Sequence, residues 1–304
     1  LLLRACGDRG LHPGPALDRG LVHEEPAVVC AALRAATFGD RPRLLGAVEG
    51  CLQHRQAAVR AVALDTGMMW GSRLAWELAL ASYEQREAAN ARLWIACLGE
   101  DRHAEALVRQ LADPAPRHDT LWALGFSGRV PALIACLALL DDADQLTRRL
   151  AGEAVAAIVG LDPEDEALWE EPAVDEAEVD QDDLDADLVP TPESELPLPN
   201  AAAIRERWKR LESAFVPGKR YILGKPVERE GPGWALSLLS CRRVDVVARE
   251  IVARSQGVGR WPWQARAGRH MQAVGVLAEL GRDTLARKRA RRPGQALDLD
   301  GLVP

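Results

Sequence analysis

Apolar side chains return at helical spacing in the first half of this chain, in a repeat of about 30 residues, and this period restricts the fold more than any other feature. The last apolar position of each successive segment falls at Leu52, Leu80, Leu111 and Leu140, so the steps are nearly equal. Polar turns follow at 53–56, 82–87, 113–119 and 141–145, each leading into a second apolar segment. Because one helix pair buries its apolar face only against neighbouring pairs, the period predicts an all-α fold, an α-solenoid of HEAT-like helix pairs.

Composition favours the same fold. Ala supplies 50 of the 304 residues, whereas aromatic residues make up 5%, so helix formers outweigh strand formers. Ala at helix contacts also lets adjacent pairs pack closely. Counting an earlier pair around residues 27–36, we expect about five pairs before residue 161.

Membrane, secreted and metal-dependent classes are not expected. Every apolar run is far shorter than the roughly 20 residues that a membrane-spanning helix needs. Leu1–Leu3 are followed at once by Arg4, so we expect no signal peptide either. The six cysteines are scattered singly without a C-x-x-C pair, which favours small buried hydrophobes over a metal or redox site. We therefore expect a cytoplasmic protein.

Charge is segregated along the chain. Residues 1–160 contain 17 basic and 19 acidic side chains, residues 161–200 contain 16 acidic and no basic ones, and residues 201–294 contain 21 basic and 8 acidic ones. Combined with the period, these blocks predict HEAT-like helical repeats over 1–160, an acidic Pro-rich linker over 161–200, a smaller helical C-terminal region over 201–290 and a tail over 291–304.

The acidic segment repels itself and has too little apolar content to fill a core, so we expect an extended linker or surface loop. Two roles stay open for it. It is either a solvated spacer or an acidic arm that covers the basic block or mimics nucleic acid.

The C-terminal region predicts several short elements. Residues 201–215 form an amphipathic helix, because Ile204, Trp208, Leu211 and Phe215 share one face. Residues 216–228 contain Gly turns around a short apolar run, which indicates a loop or a brief extended stretch. Helices are predicted over 233–240 and 244–252, joined by residues 241–243, and a last helix over about 267–289.

Motifs for catalysis, nucleotide binding and zinc proteolysis are missing from the sequence, so we expect no enzyme, cofactor or metal. His103 and His118 flank one predicted helix and its turn. A solvated or capping His is commoner at such a place than a general base.

The nine tryptophans fall into two groups. Four lie on apolar faces of predicted repeat helices, which favours core packing: Trp70, Trp76, Trp94 and Trp122. Trp261 and Trp263 lie outside any helical period, where two interpretations stay open: a loop packed against the end of the repeats, or an exposed aromatic and Arg contact site. The candidate partner contacts are Trp208, Arg220, Tyr221, Arg260, Trp261, Trp263 and Arg266.

Three segments together resemble a known family: RLAGEAVAAIVGL (149–161), LWALGFSGRVPALIACL (121–137) and Trp208 followed by AFVPGKRYILGKP (214–226). In order and spacing, over about residues 20–280, the chain resembles a bacterial, mostly proteobacterial family of HEAT-like repeat proteins of unassigned function. Members are often encoded beside type VI secretion spike and effector genes, so the resemblance implies a cytoplasmic accessory role and no catalytic residues. Family members carry an Arg-rich helix pair and an aromatic-rich bend after the G-K-P turn, where this chain has GPGWALSLL and WPWQAR.

The expected function is that of a noncatalytic protein-binding scaffold, because curved stacks of helix pairs present extended concave surfaces. The resemblance implies an adaptor or chaperone for type VI secretion effector or spike proteins. The alternative is a nucleic-acid-binding HEAT-like protein, which the net +13 of residues 201–294 favours and the adjacent −16 segment opposes. A protein is the expected partner; nucleic acid and membrane are not.

Overall fold

The computed structural model describes residues 1–85, 88–170, 192–227, 232–261 and 272–279. Helices of the first half are α1 (Leu2–Arg9), α2 (Ala16–Leu21), α3 (Pro26–Ala36), α4 (Arg41–Cys51), α5 (Ala57–Met69), α6 (Arg73–Ser82), α7 (Ala89–Leu98), α8 (Asp101–Gln110), α9 (Arg117–Ser127), α10 (Val130–Ala138) and α11 (Gln145–Val159). They are followed by β1 (Trp169–Glu170), β2 (Leu198–Pro199), α12 (Ala201–Leu211), β3 (Tyr221–Ile222), β4 (Lys225–Pro226) and α13 (Cys241–Arg254). The mainly helical fold that the sequence predicts is confirmed.

The helices alternate with the period that the sequence predicts. α4, α6, α8 and α10 begin at residues 41, 73, 101 and 130, and α5, α7, α9 and α11 begin at 57, 89, 117 and 145. Side chains set several of these starts: Ser72 accepts the N–H of Ala75 at α6, and Asp144 accepts the N–H of Thr147 at α11. Pro stands in the first turn of α3, α4 and α10, where its missing N–H costs nothing. The stacking of the pairs into a solenoid stays a prediction.

The chain forms two compact units. Unit 1 comprises Leu1–Gly99 and Val227–Pro304, and unit 2 comprises Glu100–Pro226. In unit 1, α3, α5 and α7 pack one against the next, and α13 packs against α5 and α7. In unit 2, α9 packs against α11, α8 packs against α9 and α10, and β2 and β3 pack against α11. Charge and packing thus divide the chain differently, and the charge-based domain limits stay a prediction.

Each unit has an apolar core built from the helix faces that the period marks. Leu33, Leu44, Met69 and Ile95 are fully buried in unit 1, as are Leu107, Leu121, Leu124 and Leu133 in unit 2. Core packing is confirmed for Trp70 and Trp94, whereas Trp76 and Trp122 are half-buried.

The acidic segment differs from the expected linker at both of its ends. β1 and β2 pair in antiparallel register, with Glu170 opposite Leu198. Leu168 and Leu198 are buried, because these flanks hold enough apolar surface to pack in unit 2. The two described flanks of the segment therefore lie side by side in unit 2. Residues 171–191, on which the choice between spacer and acidic arm depends, lie outside the described residues.

The C-terminal elements agree with the sequence in part. α12 continues into a 3₁₀ helix at Glu212–Ala214, as the amphipathic pattern over 201–215 predicts, and β3 and β4 pair as a short hairpin. Pro232–Ser237 is a 3₁₀ helix, and residues 241–243 are the first turn of α13 rather than a joint, because Ser240 takes the N-cap position. Residues 272–279 are helical, while the rest of the predicted last helix and the tail lie outside the described residues.

None of the helices in the described ranges is both long enough and apolar enough to cross a bilayer.

Candidate functional site: two internal clamps and an exposed helix face

Residues 220–224, here called the hairpin clamp, bind the C-terminal ends of two helices in unit 2. Arg220 donates from Nε and Nη2 to the carbonyl oxygen of Phe126, at 3.2 and 2.9 Å, and the N–H of Tyr221 donates to the carbonyl of Gly128 at 2.7 Å. The N–H groups of Leu223 and Gly224 reach α11, where the carbonyls of residues 157 and 158 accept them at 2.7 and 2.8 Å. The clamp thus satisfies carbonyls that a helix end leaves open.

Two glycines leave room for the hairpin clamp. Gly128 and Gly160 follow α9 and α11 with φ of +62° and +81°, the left-handed conformation common after a helix. A Cβ on Gly128 would lie 2.1 Å from the carbonyl oxygen of Tyr221, and one on Gly160 would lie 2.7 Å from that of Leu223. The three segments that carry the family resemblance therefore meet here, and packing explains why these residue types stand in them.

An aromatic cluster holds the hairpin clamp to α12. The ring of Phe215 lies between Trp208 and Tyr221, with centroids 5.1 and 4.5 Å away. The hydroxyl of Tyr221 donates to the carbonyl of Ala214 and accepts the N–H of Val216. Trp208, Arg220 and Tyr221, three of the candidate partner contacts, are all buried. They stabilise unit 2, and a partner contact through them stays a prediction.

A second clamp, formed by residues 255–261 and here called the turn clamp, binds the end of a helix in unit 1. Arg260 donates to the carbonyl of Phe38 at the end of α3, at 3.1 Å, and Trp261 Nε1 donates to Oδ1 of Asp245 at 2.8 Å. Trp261 is 3% exposed, which agrees with a packed loop, the first of the two interpretations, whereas Arg260 is exposed. The remaining candidate contacts, Trp263 and Arg266, lie outside the described residues.

Buried charges hold α13 against α5 and α7 in unit 1. The carboxylate of Asp65 accepts the N–H groups of Trp94 and Asn90, at 2.8 and 3.0 Å, and lies 3.4 Å from Nη1 of Arg249. Nη2 of Arg249 also lies 2.6 Å from Asp245, whose carboxylate accepts the N–H of the Trp261 ring. Burial raises the pKa of Asp65, although Arg249 and the two hydrogen bonds oppose this. The network joins α5, α7 and α13.

The two histidines singled out in the sequence have structural surroundings. Nδ1 of His103 accepts the N–H of Glu100 at 2.8 Å, which is a helix cap as expected. Nε2 of His118 lies 2.8 Å from Oδ2 of Asp144. The Thr147 hydroxyl donates to that same carboxylate at 2.6 Å and lies 3.3 Å from the ring, so Asp144 joins the two side chains.

Arginines of the basic block are largely engaged inside their own units. Arg205 forms an ion pair with Asp141 at 2.7 Å, and Arg207 forms one with Asp165 at 3.2 Å. Arg254 pairs with the fully buried Glu250 at 2.7 Å. Neighbouring carboxylates thus pair with these three cations of the basic block, whereas Lys209 and Lys219 are exposed.

The outward faces of α8 and α10 in unit 2 differ in polarity. Burial along α10 repeats burial along α8 one period later, so Ile134 takes the position of Glu105. On α8 the outward side chains are charged, and we call them the outer row: Arg102, Glu105 and Arg109. On α10 they are apolar, and we call them the outer face: Pro131, Ile134, Ala135 and Ala138.

The outer face is unusual because every residue of α10 is apolar. A helix that is apolar all round belongs in an interior. Ile134 is nevertheless 50% exposed, and Ala138 is exposed beside it. This face was not predicted from the sequence, although aligning positions one period apart shows the change from charged to apolar.

Within the described ranges, no group of three His, Cys, Asp or Glu side chains is placed to hold a metal ion. Cys6, Cys51, Cys97 and Cys136 are buried as expected, Cys30 is half-buried and Cys241 is exposed. No protein-family model and no curated protein matches this chain.

Proposed function

We propose that this chain is a noncatalytic protein-binding scaffold, built of HEAT-like helix pairs, whose docking surface is the outer face of α10. The observation that carries the proposal is the half-exposed Ile134 on a helix without a single polar residue. A helix that is apolar all round is normally buried, so the exposed side of this one is a candidate interaction surface.

Two findings support this surface over the second helices of the pairs, α5, α7 and α11. The second helices α5 and α7 of unit 1 are covered by α13, and α11 of unit 2 is covered by β2 and β3. Of the candidate contacts, Arg220, Tyr221, Arg260 and Trp261 lie in the two clamps, and Trp208 packs against Phe215. On α8 and α10, the first helices of their pairs, the outward side chains are at least partly exposed. Those of α8 are charged, whereas those of α10 are apolar.

The partner we propose is a type VI secretion effector or spike protein, for which this chain acts as adaptor or chaperone. This part depends on the family resemblance alone. The nucleic-acid alternative has less support, because Arg205, Arg207 and Arg254 are engaged in ion pairs.

Quantitative co-purification from the native host tests the proposal. The chain is tagged at its own chromosomal locus, and its bound proteins are compared with those of Ile134→Asp and of Val22→Asp, a matched change of an apolar side chain that is 80% exposed in unit 1. We expect a secretion effector or spike component with the tagged chain and with Val22→Asp, and its loss with Ile134→Asp. Equal recovery with all three chains would contradict the docking surface, and recovery of an unrelated protein would contradict the adaptor role.

A further inference from the structure

The outer face of α10 and the outer row of α8 adjoin in unit 2. Arg129, at the N-cap of α10, pairs with Asp101 at the start of α8, so the two packed helices begin side by side and run in the same direction. Neighbouring helix axes lie about 8–10 Å apart. The surface between them is therefore a shallow groove with one apolar side and one charged side.

We infer that this groove binds an amphipathic α-helix of the partner, which places an apolar stripe on α10 and acidic side chains beside Arg102 and Arg109. The inference rests on the proposed function and names the kind of element that docks.

The spacing of the groove fits a helix. Its apolar positions, 131, 134, 135 and 138, recur at i, i+3, i+4 and i+7, the pattern that a partner helix matches with its own stripe. Ile134 projects beside the small side chains of Ala135 and Ala138, which leave hollows for larger side chains of the partner.

The charges of the outer row determine which charged side chains we expect beside the apolar stripe of the partner helix. Arg102 and Arg109 are seven residues apart on α8, about 10 Å along the axis, so two acidic residues seven apart on a partner helix face both. Glu105 lies between them and favours a Lys or Arg on the partner. Arg102 lies 3.4 Å from Glu100, at 75% side-chain exposure, a weak surface pair that leaves it accessible.

The same charges argue against a second copy of this chain as the occupant. If two outer faces met with their α10 helices antiparallel, the two α8 helices would also face each other in antiparallel fashion. The order of plus, minus, plus along the outer row reads the same in both directions. Arg102 would then face Arg109 of the other copy and Glu105 would face its own equivalent, an arrangement that like-charge repulsion disfavours.

Two stapled helical peptides of about four turns test the inference by fluorescence anisotropy on the full chain. Both have the same Leu stripe; one has Glu at two rim positions seven residues apart, and the other has Lys there. We expect the Glu peptide to bind about tenfold more tightly at low salt, with the difference vanishing near 1 M salt. Ile134→Asp should weaken the Glu peptide about 10- to 100-fold, and the pair Arg102→Glu with Arg109→Glu should reverse the preference.

Controls separate binding from folding. Val22→Asp, at an apolar side chain that is 80% exposed in unit 1, should keep the Glu-peptide preference. Far-UV circular dichroism should be unchanged for Ile134→Asp, because Ile134 is half-exposed; if helicity falls, Ala138→Glu takes its place in the measurement.

Equal binding of both peptides, or binding of neither, would overturn the inference. Concentration-dependent self-association in sedimentation that Ile134→Asp abolishes would assign the face to a second copy and would equally overturn it. Co-purification tests the proposed function separately. If it depends on Ile134 while neither peptide binds, the proposed scaffold role is supported, and the docking element is not a helix of this kind.

Discussion

The two clamps hold helix ends in the same way but depend on different chemistry. In unit 2, Arg220 and the backbone of the hairpin clamp bind carbonyl oxygens of α9 and α11. In unit 1, Arg260 binds the carbonyl of Phe38, but the main anchor nearby is the buried ion pair between Asp65 and Arg249. Both clamps place an Arg next to a buried aromatic residue, Tyr221 or Trp261.

This difference teaches what an Arg beside an aromatic residue can mean. The sequence pattern is the same as that of an interaction hot spot, yet in both units the aromatic side chain packs inward. Unit 2 depends on close backbone approach and should be sensitive to added atoms. Unit 1 depends on charge and should be sensitive to pH and to loss of a partner.

The largest effect is expected where the hairpin clamp approaches most closely. Gly128→Ala places a methyl group 2.1 Å from the carbonyl oxygen of Tyr221, at φ +62°, so the clamp must detach. We expect the free energy of unfolding to fall by about 5 kcal/mol, measured by urea denaturation. Gly46→Ala in α4 is the control: nothing lies within 4 Å, and helix propensity should stabilise it by about 0.5–1 kcal/mol. A small effect of Gly128→Ala would show that the clamp is not tightly seated.

Removing the buried cation of unit 1 is expected to rank second. Arg249→Met leaves Asp65 with only the N–H groups of Trp94 and Asn90, so we expect a loss of about 3–4 kcal/mol in unfolding free energy. Arg249→Met combined with Asp65→Asn should recover part of that loss, because no unpaired buried charge remains at that position. If the double variant is no more stable than the single one, the charge of Asp65 is not what the arginine compensates.

The two clamp arginines should differ from each other. Arg220 is 5% exposed and donates twice to Phe126, so Arg220→Gln should cost about 1.5–3 kcal/mol in thermal or urea unfolding. Arg260 is exposed, so Arg260→Gln should cost less than about 1 kcal/mol. The reverse order would mean that the turn clamp, not the hairpin clamp, is the stronger of the two.

The smallest effect is a pH dependence with opposite signs in the two units. Burial raises the pKa of Asp65 above 3.8, so its contribution to stability is fully present below that pH and is lost as pH rises through the native pKa. Hydrogen bonds from Thr147 and His118 lower the pKa of Asp144 to about 2, so its contribution is present above pH 3.8 and is lost as pH falls toward 2. Unfolding free energies from pH 2 to 7 should show each dependence removed by Asp65→Asn or Asp144→Asn, and an unchanged profile would contradict the assignment.

Local patterns in the sequence predict the local structure well. The apolar period places α4 to α11, and the spacing of Ile204, Trp208 and Phe215 places α12, because helix periodicity is written in consecutive residues. Contacts between distant segments cannot be predicted from such local patterns. Asp65 and Arg249 are 184 residues apart, and no local rule says that they meet.

The candidate site was predictable only in part for the same reason. The residue types of Arg220, Tyr221 and Trp261 favour both a contact surface and a clamp, and only the tertiary contacts distinguish the two. Gly128 and Gly160 are helix-ending glycines in the sequence, but the hairpin that requires them lies much further along the chain. The sequence of α10 is uncharged throughout, but it does not show which side of the helix is exposed, because exposure depends on how α10 packs.

Site-specific photocrosslinking in living cells of the native host tests the proposed docking surface most directly. A benzophenone amino acid is placed at Ile134, on the outer face of α10, or at Val258, which is 63% exposed and lies in the turn clamp beside Arg260. We expect a discrete crosslinked protein from position 134 and none from position 258. An adduct from position 258 with none from position 134 would return the contact site to the Arg260–Trp261 region and contradict the assignment to α10.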